Sequence, residues 1–421
     1  MCTPDETFAK VSPLFDQYGI TRLSDITWLD WIGLPVYNAV VPRSAEDVSV
    51  YTGKGMTKTA SKVSAIMEAI ERNVGLLPLQ PAVITSYNSL AAEARDALRP
   101  SEINLELAPG YTDDTPTPWV VGHDIVSGRD VLVPHSAVSL ASVPGTTRCY
   151  RLITANGLAS GNCIEEAICH ALAEVIERDA QTFAELLCSR LPVMLATGAV
   201  KAAASAEAIA ELQATCPQID LASLPPGARQ VADMFEAAGV HLQLCSITSI
   251  GVPVVMAVSH DTTGYMSHAH VGMGAGPDAE IAAVRAITEC AQSRAVDIQS
   301  MREDFVPADV PHQRAQAYGK RVTAIDTASW PWQTGGKTIA LADEATFRSD
   351  DVAADLGFML DRLAAAGLHR VIAVDLSPPE LPVKVARVIV PGIESWGSDR
   401  SKVGPRATRA FNQALQKAKG S

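Results

Sequence analysis

Glutamate recurs in this chain at a spacing suited to holding cations. The segments Ser64-Ala-Ile-Met-Glu68-Ala-Ile-Glu71-Arg72, His170-Ala-Leu-Ala-Glu174-Val-Ile-Glu177-Arg178 and Arg285-Ala-Ile-Thr-Glu289-Cys-Ala-Gln292-Ser293-Arg294 superpose on Glu68, Glu174 and Glu289. Each has a polar side chain, Glu four residues on, and Glu or Gln three further. On an α-helix those offsets share one face. In the second copy Asn162, Glu166, His170, Glu174 and Glu177 extend the stripe, while Ile164, Ile168, Leu172 and Ile176 make the rest apolar enough to bury. If the three helices converge, Glu68, Glu71, Glu166, Glu174, Glu177 and Glu289 come together. Two like charges at about 4 Å repel by roughly 4 kcal/mol at an effective dielectric near 20. Such a cluster calls for cations, and oxygen donors without His–Cys pairs suit Mg2+, which binds through carboxylates plus substrate phosphates. The alternative for any one copy is a solvated acidic face paired with its own Arg72 or Arg178; repetition argues against it.

A glycine-rich turn is expected before each helix, at Gly53-Lys54-Gly55, Gly157 to Gly161 and Gly272 to Gly276. Backbone N–H groups there could receive phosphate, although simple turns or close packing explain single glycines equally well. None is a Walker A loop or a dinucleotide fingerprint.

These motifs need a frame. Helical periodicity covers roughly 58 to 76, 162 to 190, 199 to 214, 226 to 238, 278 to 300 and 351 to 366. Between them lie β-rich runs at 34 to 41, 119 to 122, 131 to 133, 241 to 250, 254 to 259, 369 to 376 and 383 to 390. The interleaving predicts an α/β or α+β layered enzyme. Residues 1 to 45 read as an entry segment without a long helix, 46 to 405 as the catalytic unit with its motifs inside 54 to 300, and 406 to 421 as a tail.

The 421 residues are 47% hydrophobic, enough for a large core, and carry a formal charge of −13, which argues against a nucleic-acid groove. An acidic start and the lack of about 18 uninterrupted apolar residues argue against a signal peptide or membrane span, so the cytoplasm is expected. Eight cysteines form no C-x-x-C pair and read as free thiols rather than a zinc site. Cys290 points about 100° away from Glu289 on its helix, which predicts burial rather than a sulfur-carrier role. His260, His268 and His270 read as hydrogen-bonded loop residues. The locally basic run 399 to 406 reads as a surface loop.

On these three glutamate blocks, and on Arg387-Val-Ile-Val-Pro391-Gly392-Ile-Glu394, the chain resembles the YcaO family. The resemblance implies a YcaO-type fold of repeated sheet-plus-acidic-helix units around a central ATP site. It implies Glu68, Glu71, Glu166, Glu174 and Glu177 as Mg2+ or phosphate-site carboxylates, and Ser64, Asn162, Arg178, Arg285 and Glu289 as nucleotide contacts. The implied activity is ATP-dependent O-phosphorylation of a backbone amide in a peptide or protein substrate. External sulfide would then give a thioamide, a Cys, Ser or Thr side chain an azoline, and an amine an amidine. Ring-forming members typically end in a proline-rich tail, whereas this chain ends Leu415-Gln-Lys-Ala-Lys-Gly-Ser421 and has no room for a fused partner domain. It therefore looks like the members that work with a TfuA protein and a sulfur donor. A homodimer stays open. The competing readings are an azoline-forming cyclodehydratase, a non-catalytic partner subunit, and an unrelated magnesium-dependent ligase or kinase.

Overall fold

The computed structural model describes residues 2–42, 44, 50–199, 205–261, 270–300 and 336–420. Strands β1 (Arg22–Asp25), β2 (Val36–Val40) and β3 (Val50–Lys54) form an antiparallel sheet in that order. Strands β4 (Val83–Thr85), β5 (Thr117–Asp124), β6 (Arg129–Pro134), β7 (Leu158–Gly161), β13 (Ile372–Asp375) and β14 (Lys384–Ile389) form a six-stranded sheet. Its order is β4-β5-β13-β14-β7, with β6 also paired to β5. In a third sheet the order is β11-β10-β9-β8-β12, from β8 (Gln218–Ile219), β9 (Val240–Ser246), β10 (Val254–Asp261), β11 (His270–Ala275) and β12 (Thr338–Ile339). The principal helices are α1 (Pro4–Val11), α2 (Lys58–Gly75), α3 (Ile164–Ala184), α4 (Pro226–Ala237), α5 (Ala279–Ser300), α6 (Val352–Ala365) and α7 (Pro405–Gly420). The fold is α+β, as expected.

The repetition seen in the sequence is a repetition of structure. Each acidic helix follows an edge strand: α2 follows β3, α3 follows β7 and α5 follows β11. Each helix packs back onto its own strand. Here the expected glycine turns need correcting, because Gly53, Gly161, Gly272 and Gly274 lie within strands. A Cβ on Gly53 would stand 2.1 Å from the Ala65 nitrogen, and one on Gly272 would stand 2.2 Å from the Cys290 nitrogen. The equivalent distances are 2.5 Å from Gly161 to the Ala167 nitrogen and 2.2 Å from Gly274 to the Ala282 oxygen. These glycines let helix backbone rest directly on strand backbone. Only Gly157 sits at a left-handed turn, with φ +80°.

Helices expected at 58 to 76, 226 to 238, 278 to 300 and 351 to 366 form within about a residue of those limits. The one expected over 162 to 190 begins at Ile164, leaving Asn162 and Cys163 ahead of the helix, and changes at Glu185 into a π-helical stretch to Arg190. The one expected over 199 to 214 is described only as Ala206–Gln213. The entry segment contains α1, a short helix capped by Thr3 and Glu6. One further correction concerns a loop. His260 and His270 are strand residues, and His268 lies outside the described residues. The basic run 399 to 406 is pinned: Arg400 Nη1 reaches buried Glu185 at 2.7 Å, and Arg406 Nη1 reaches Asp179 at 2.5 Å. No helix among the described residues is long and apolar enough to cross a membrane.

Candidate functional site

Helices α2, α3 and α5 turn their polar stripes into one cleft of about 1040 Å³. All six glutamates line it, and so do Ser64, Asn162, Arg178 and Arg285. The offsets of 0, 4 and 7 thus place Ser64, Glu68, Glu71, Glu174, Glu177, Arg285 and Glu289 on a common wall, which Asn162, Glu166 and Arg178 join from outside those offsets. Ser61 fixes the start of the first unit by donating to the Gly53 carbonyl at 2.8 Å, and Thr57 caps α2 by accepting from the Ala60 N–H.

The carboxylates differ in their company. Glu166 accepts from the Asn162 N–H and side-chain amide at 3.1 and 3.3 Å. Glu71 accepts from Ser160 Oγ at 3.3 Å, and Glu174 from the Gly157 N–H at 3.3 Å. Arg178 lies 3.3 Å from Glu177 and 3.8 Å from Glu174. Glu289 takes the Lys54 ammonium at 2.5 Å.

Burial of these charges pushes most of them up. Glu68 rises to about 7, because burial and the charges of Glu174 and Glu289 outweigh the pull of Lys54 and Arg72. Glu71 lies well above the usual range through burial and the neighbouring charges of Glu174 and Glu68. Glu177 rises to about 7, again chiefly by burial. Glu174 is raised too, by burial that Arg178 and the Gly157 N–H only partly offset. Glu289 is the exception: burial raises it, but Lys54, Arg178 and the Met273 N–H together hold it below the ordinary value.

Such a wall of hard oxygen donors suits Mg2+ in one way only. Among the described residues no three His, Cys, Asp or Glu side chains stand close enough together to hold a metal by themselves. An all-protein cage does not fit; a metal shared between separate carboxylates and a phosphate chain does. The raised glutamates are the electrostatic expression of that incomplete neutralisation.

Sequence reasoning gave Lys54 and Arg72 no place in the cleft, whereas Gln292 was already part of the third stripe. Lys54 and Arg72 supply positive charge to the cleft, and Gln292 donates to the Thr52 carbonyl at 2.7 Å. Lys54 stood in the quoted glycine run without a counterpart in the other two, whereas Arg72 beside Glu71 recurs as Arg178 beside Glu177, and that recurrence was the available signal. His170, noted only as part of the stripe, donates from Nδ1 to the Ser160 carbonyl at 3.1 Å; burial and Arg285 hold its pKa below the ordinary value. At the rim Thr7 and Lys10 of α1 meet Asn162 at 3.1 and 3.3 Å, a contact nothing in the sequence signalled.

Three strand-and-helix units around a cation-seeking cleft define an α+β nucleotide-site architecture. The chain belongs to the YcaO family, whose model, described as YcaO cyclodehydratase, ATP- and Mg2+-binding, matches residues 52–394. A protein of Methanothermobacter thermautotrophicus is 36% identical over 411 residues, covering 96% of this chain and 97% of that one. Another, from the tfuA 3' region of Rhizobium leguminosarum bv. trifolii, is 33% identical over 410 residues, covering 93% and 88%. Among solved structures, YcaO from Methanopyrus kandleri, bound with AMPPCP and Mg2+, superposes with a TM-score of 0.70 at 23% identity over 96% of this chain and 94% of its own. A heterocyclase in complex with substrate and cofactor gives 0.72 at 21% identity, covering 93% of this chain and 52% of that one. At these identities the superpositions establish the shared fold.

Proposed function

We propose that this protein uses ATP and Mg2+ to phosphorylate the carbonyl oxygen of a backbone amide, so that sulfide can replace that oxygen and leave a thioamide in a ribosomally made peptide or protein. The observation that carries the ATP step is the convergence of six carboxylates and the cations Lys54, Arg72, Arg178 and Arg285 on one cleft. The relative from the tfuA 3' region supports a TfuA-like partner and, with it, an external sulfur donor.

In this reading Glu68, Glu71, Glu166, Glu174 and Glu177 would hold Mg2+, which would supply positive charge against the phosphates of the nucleotide. Ser64, Asn162, Arg178, Arg285 and Glu289 hold the nucleotide and the shell around it. An amide carbonyl is a poor electrophile with a poor leaving group; phosphorylating it corrects both. The residues' part is positioning and charge neutralisation. Arg178, fixed between Glu174 and Glu177, presents a charge that does not need to reorganise during transfer. A cleft of about 1040 Å³ lies at the upper end of the range for small-molecule sites, which leaves room beside a nucleotide for an extended peptide.

A second reading, favoured by the family's description as a cyclodehydratase, is azoline formation by a Cys, Ser or Thr of the substrate itself. Mass spectrometry separates the two. Candidate peptides encoded beside the gene are incubated with ATP, Mg2+, sulfide and any TfuA-like neighbour, with Glu174→Gln as control. A mass gain that depends on sulfide supports thioamidation. Loss of water without sulfide replaces it with ring formation, and an unchanged peptide with nucleotide still bound points to a non-catalytic partner subunit.

A further inference from the structure

Arg387 lies on β14, behind the acidic wall and not in the cleft lining, with only 4% of its surface exposed. Its Nη2 donates to the Thr154 carbonyl at 2.8 Å. Its Nε and Nη1 are sealed from solvent and have no hydrogen-bond partner. A buried guanidinium with unspent donors is costly, and a plain core position would hold an apolar residue instead. The charges of Glu174 and Glu71 act on it.

The backbone around it closes a circuit. Arg387 holds the Thr154 carbonyl. Three residues on, the Gly157 N–H donates to Glu174 and the Gly157 carbonyl accepts from the Val388 N–H at 2.7 Å. Gly157 cannot be replaced to relax this strap, since a Cβ there would stand 2.4 Å from the Val388 oxygen. One edge of Glu174 is therefore set by a segment that residues 387 and 388 hold from below.

From this circuit we infer that Arg387 is a positioning residue for the metal site: it fixes the 154–157 strap and, through it, the orientation of Glu174, without touching nucleotide. This rests on the proposed ATP and Mg2+ site. The sign of the effect is diagnostic. If Arg387 were only a distant positive charge, its removal would tighten Mg2+ binding by relieving repulsion. If it orients Glu174, its removal loosens binding.

The test is calorimetry of ATP binding across a Mg2+ series for the wild type, Arg387→Met, Arg387→Lys and Glu174→Gln, each checked by thermal melting. Arg387→Met is expected to raise the Mg2+ needed for half-maximal ATP binding about tenfold, with Arg387→Lys in between and metal-free ATP affinity changed less than about threefold. Should Arg387→Met fail to fold, the comparison passes to Arg387→Lys with and without Glu174→Gln. Acting through Glu174 means that Arg387→Lys adds less than about twofold in the Glu174→Gln background. Tighter or unchanged Mg2+ dependence, or full additivity with Glu174→Gln, overturns the inference. A wild type that binds ATP equally with EDTA and with Mg2+ overturns instead the site reading on which it rests.

Discussion

Lys54 and Glu289 are 235 residues apart in sequence, yet the Lys54 ammonium stands 2.5 Å from Glu289 Oε2 across the cleft. The pair joins the first strand-and-helix unit to the third. It also holds Glu289 ionised while its neighbours are pushed toward protonation. Lys54→Met should therefore let the Glu289 pKa rise and weaken Mg2+-dependent ATP binding by roughly tenfold, the order expected for loss of one charge-assisted contact. Calorimetry at pH 7 checks this; undiminished affinity would mean that the pair only bridges the units.

Glu174 is touched by both Arg178 and the Gly157 N–H, and its charge acts on Glu68, Glu71 and Glu177. Glu174→Gln keeps the shape and removes the charge. ATP affinity in Mg2+ should fall by tenfold or more, while affinity in EDTA barely moves. Equal losses in both would assign Glu174 to the nucleotide and not to the metal.

The raised glutamates make a prediction about stability with a definite sign. Glu68 and Glu177 titrate near 7 when folded, against 4.5 as their ordinary value. Between those pH values the folded state binds more protons than the unfolded one, so stability falls as pH rises. The metal-free protein should melt at progressively lower temperature from about pH 4.5 through pH 7, and ATP with Mg2+ should restore the loss. A melting temperature that climbs steadily over that interval in metal-free buffer would contradict the protonation states assigned to the cleft.

Cys290 is fully buried, with its thiol 3.1 Å from Ser259 Oγ and 3.2 Å from the His270 carbonyl, and burial pushes its pKa up to about 12. That is no nucleophile at neutral pH. Cys290→Ala should cost on the order of 1 kcal/mol of stability, like other small core truncations, and leave ATP binding and product formation within a few-fold. Complete loss of product in a folded variant would make it a sulfur carrier after all.

What could be read before folding, and what could not, follows from range. The offset of three and four residues is a local property of helices, so Glu68, Glu71, Glu174, Glu177 and Glu289 declared their shared face at once. The glycines of β7 and β11 misled because four- and six-residue edge strands are too short to display alternation, and glycine suggests a turn wherever a covering helix is out of view. Lys10, Thr7 and Arg387 make their contacts across 152 to 233 residues of sequence, with no local signature. Thr3 and Glu6 form the capping box of α1, a local signal that the reading of residues 1 to 45 passed over.

Asp179, one residue beyond Arg178 and wholly buried, takes Arg406 at 2.5 Å, the Glu394 N–H at 3.0 Å and Ser249 Oγ at 3.0 Å. Asp179→Ala should cost about 3–5 kcal/mol, as expected for stranding a buried partner. Denaturant melts measure that loss, and the Mg2+ dependence of ATP binding in the surviving folded fraction should be unchanged.

The same contact places a condition on biosynthesis. Arg406 is added 227 residues after Asp179, which at about 5–20 residues per second is roughly 10–45 s later on the ribosome. Throughout that interval α3, with Glu174 and Glu177 on it, carries an acidic residue awaiting its partner. The six-stranded sheet likewise waits for β13 and β14, which lie between β5 and β7, so the helix at the centre of the site becomes fully anchored only once residue 406 has been made.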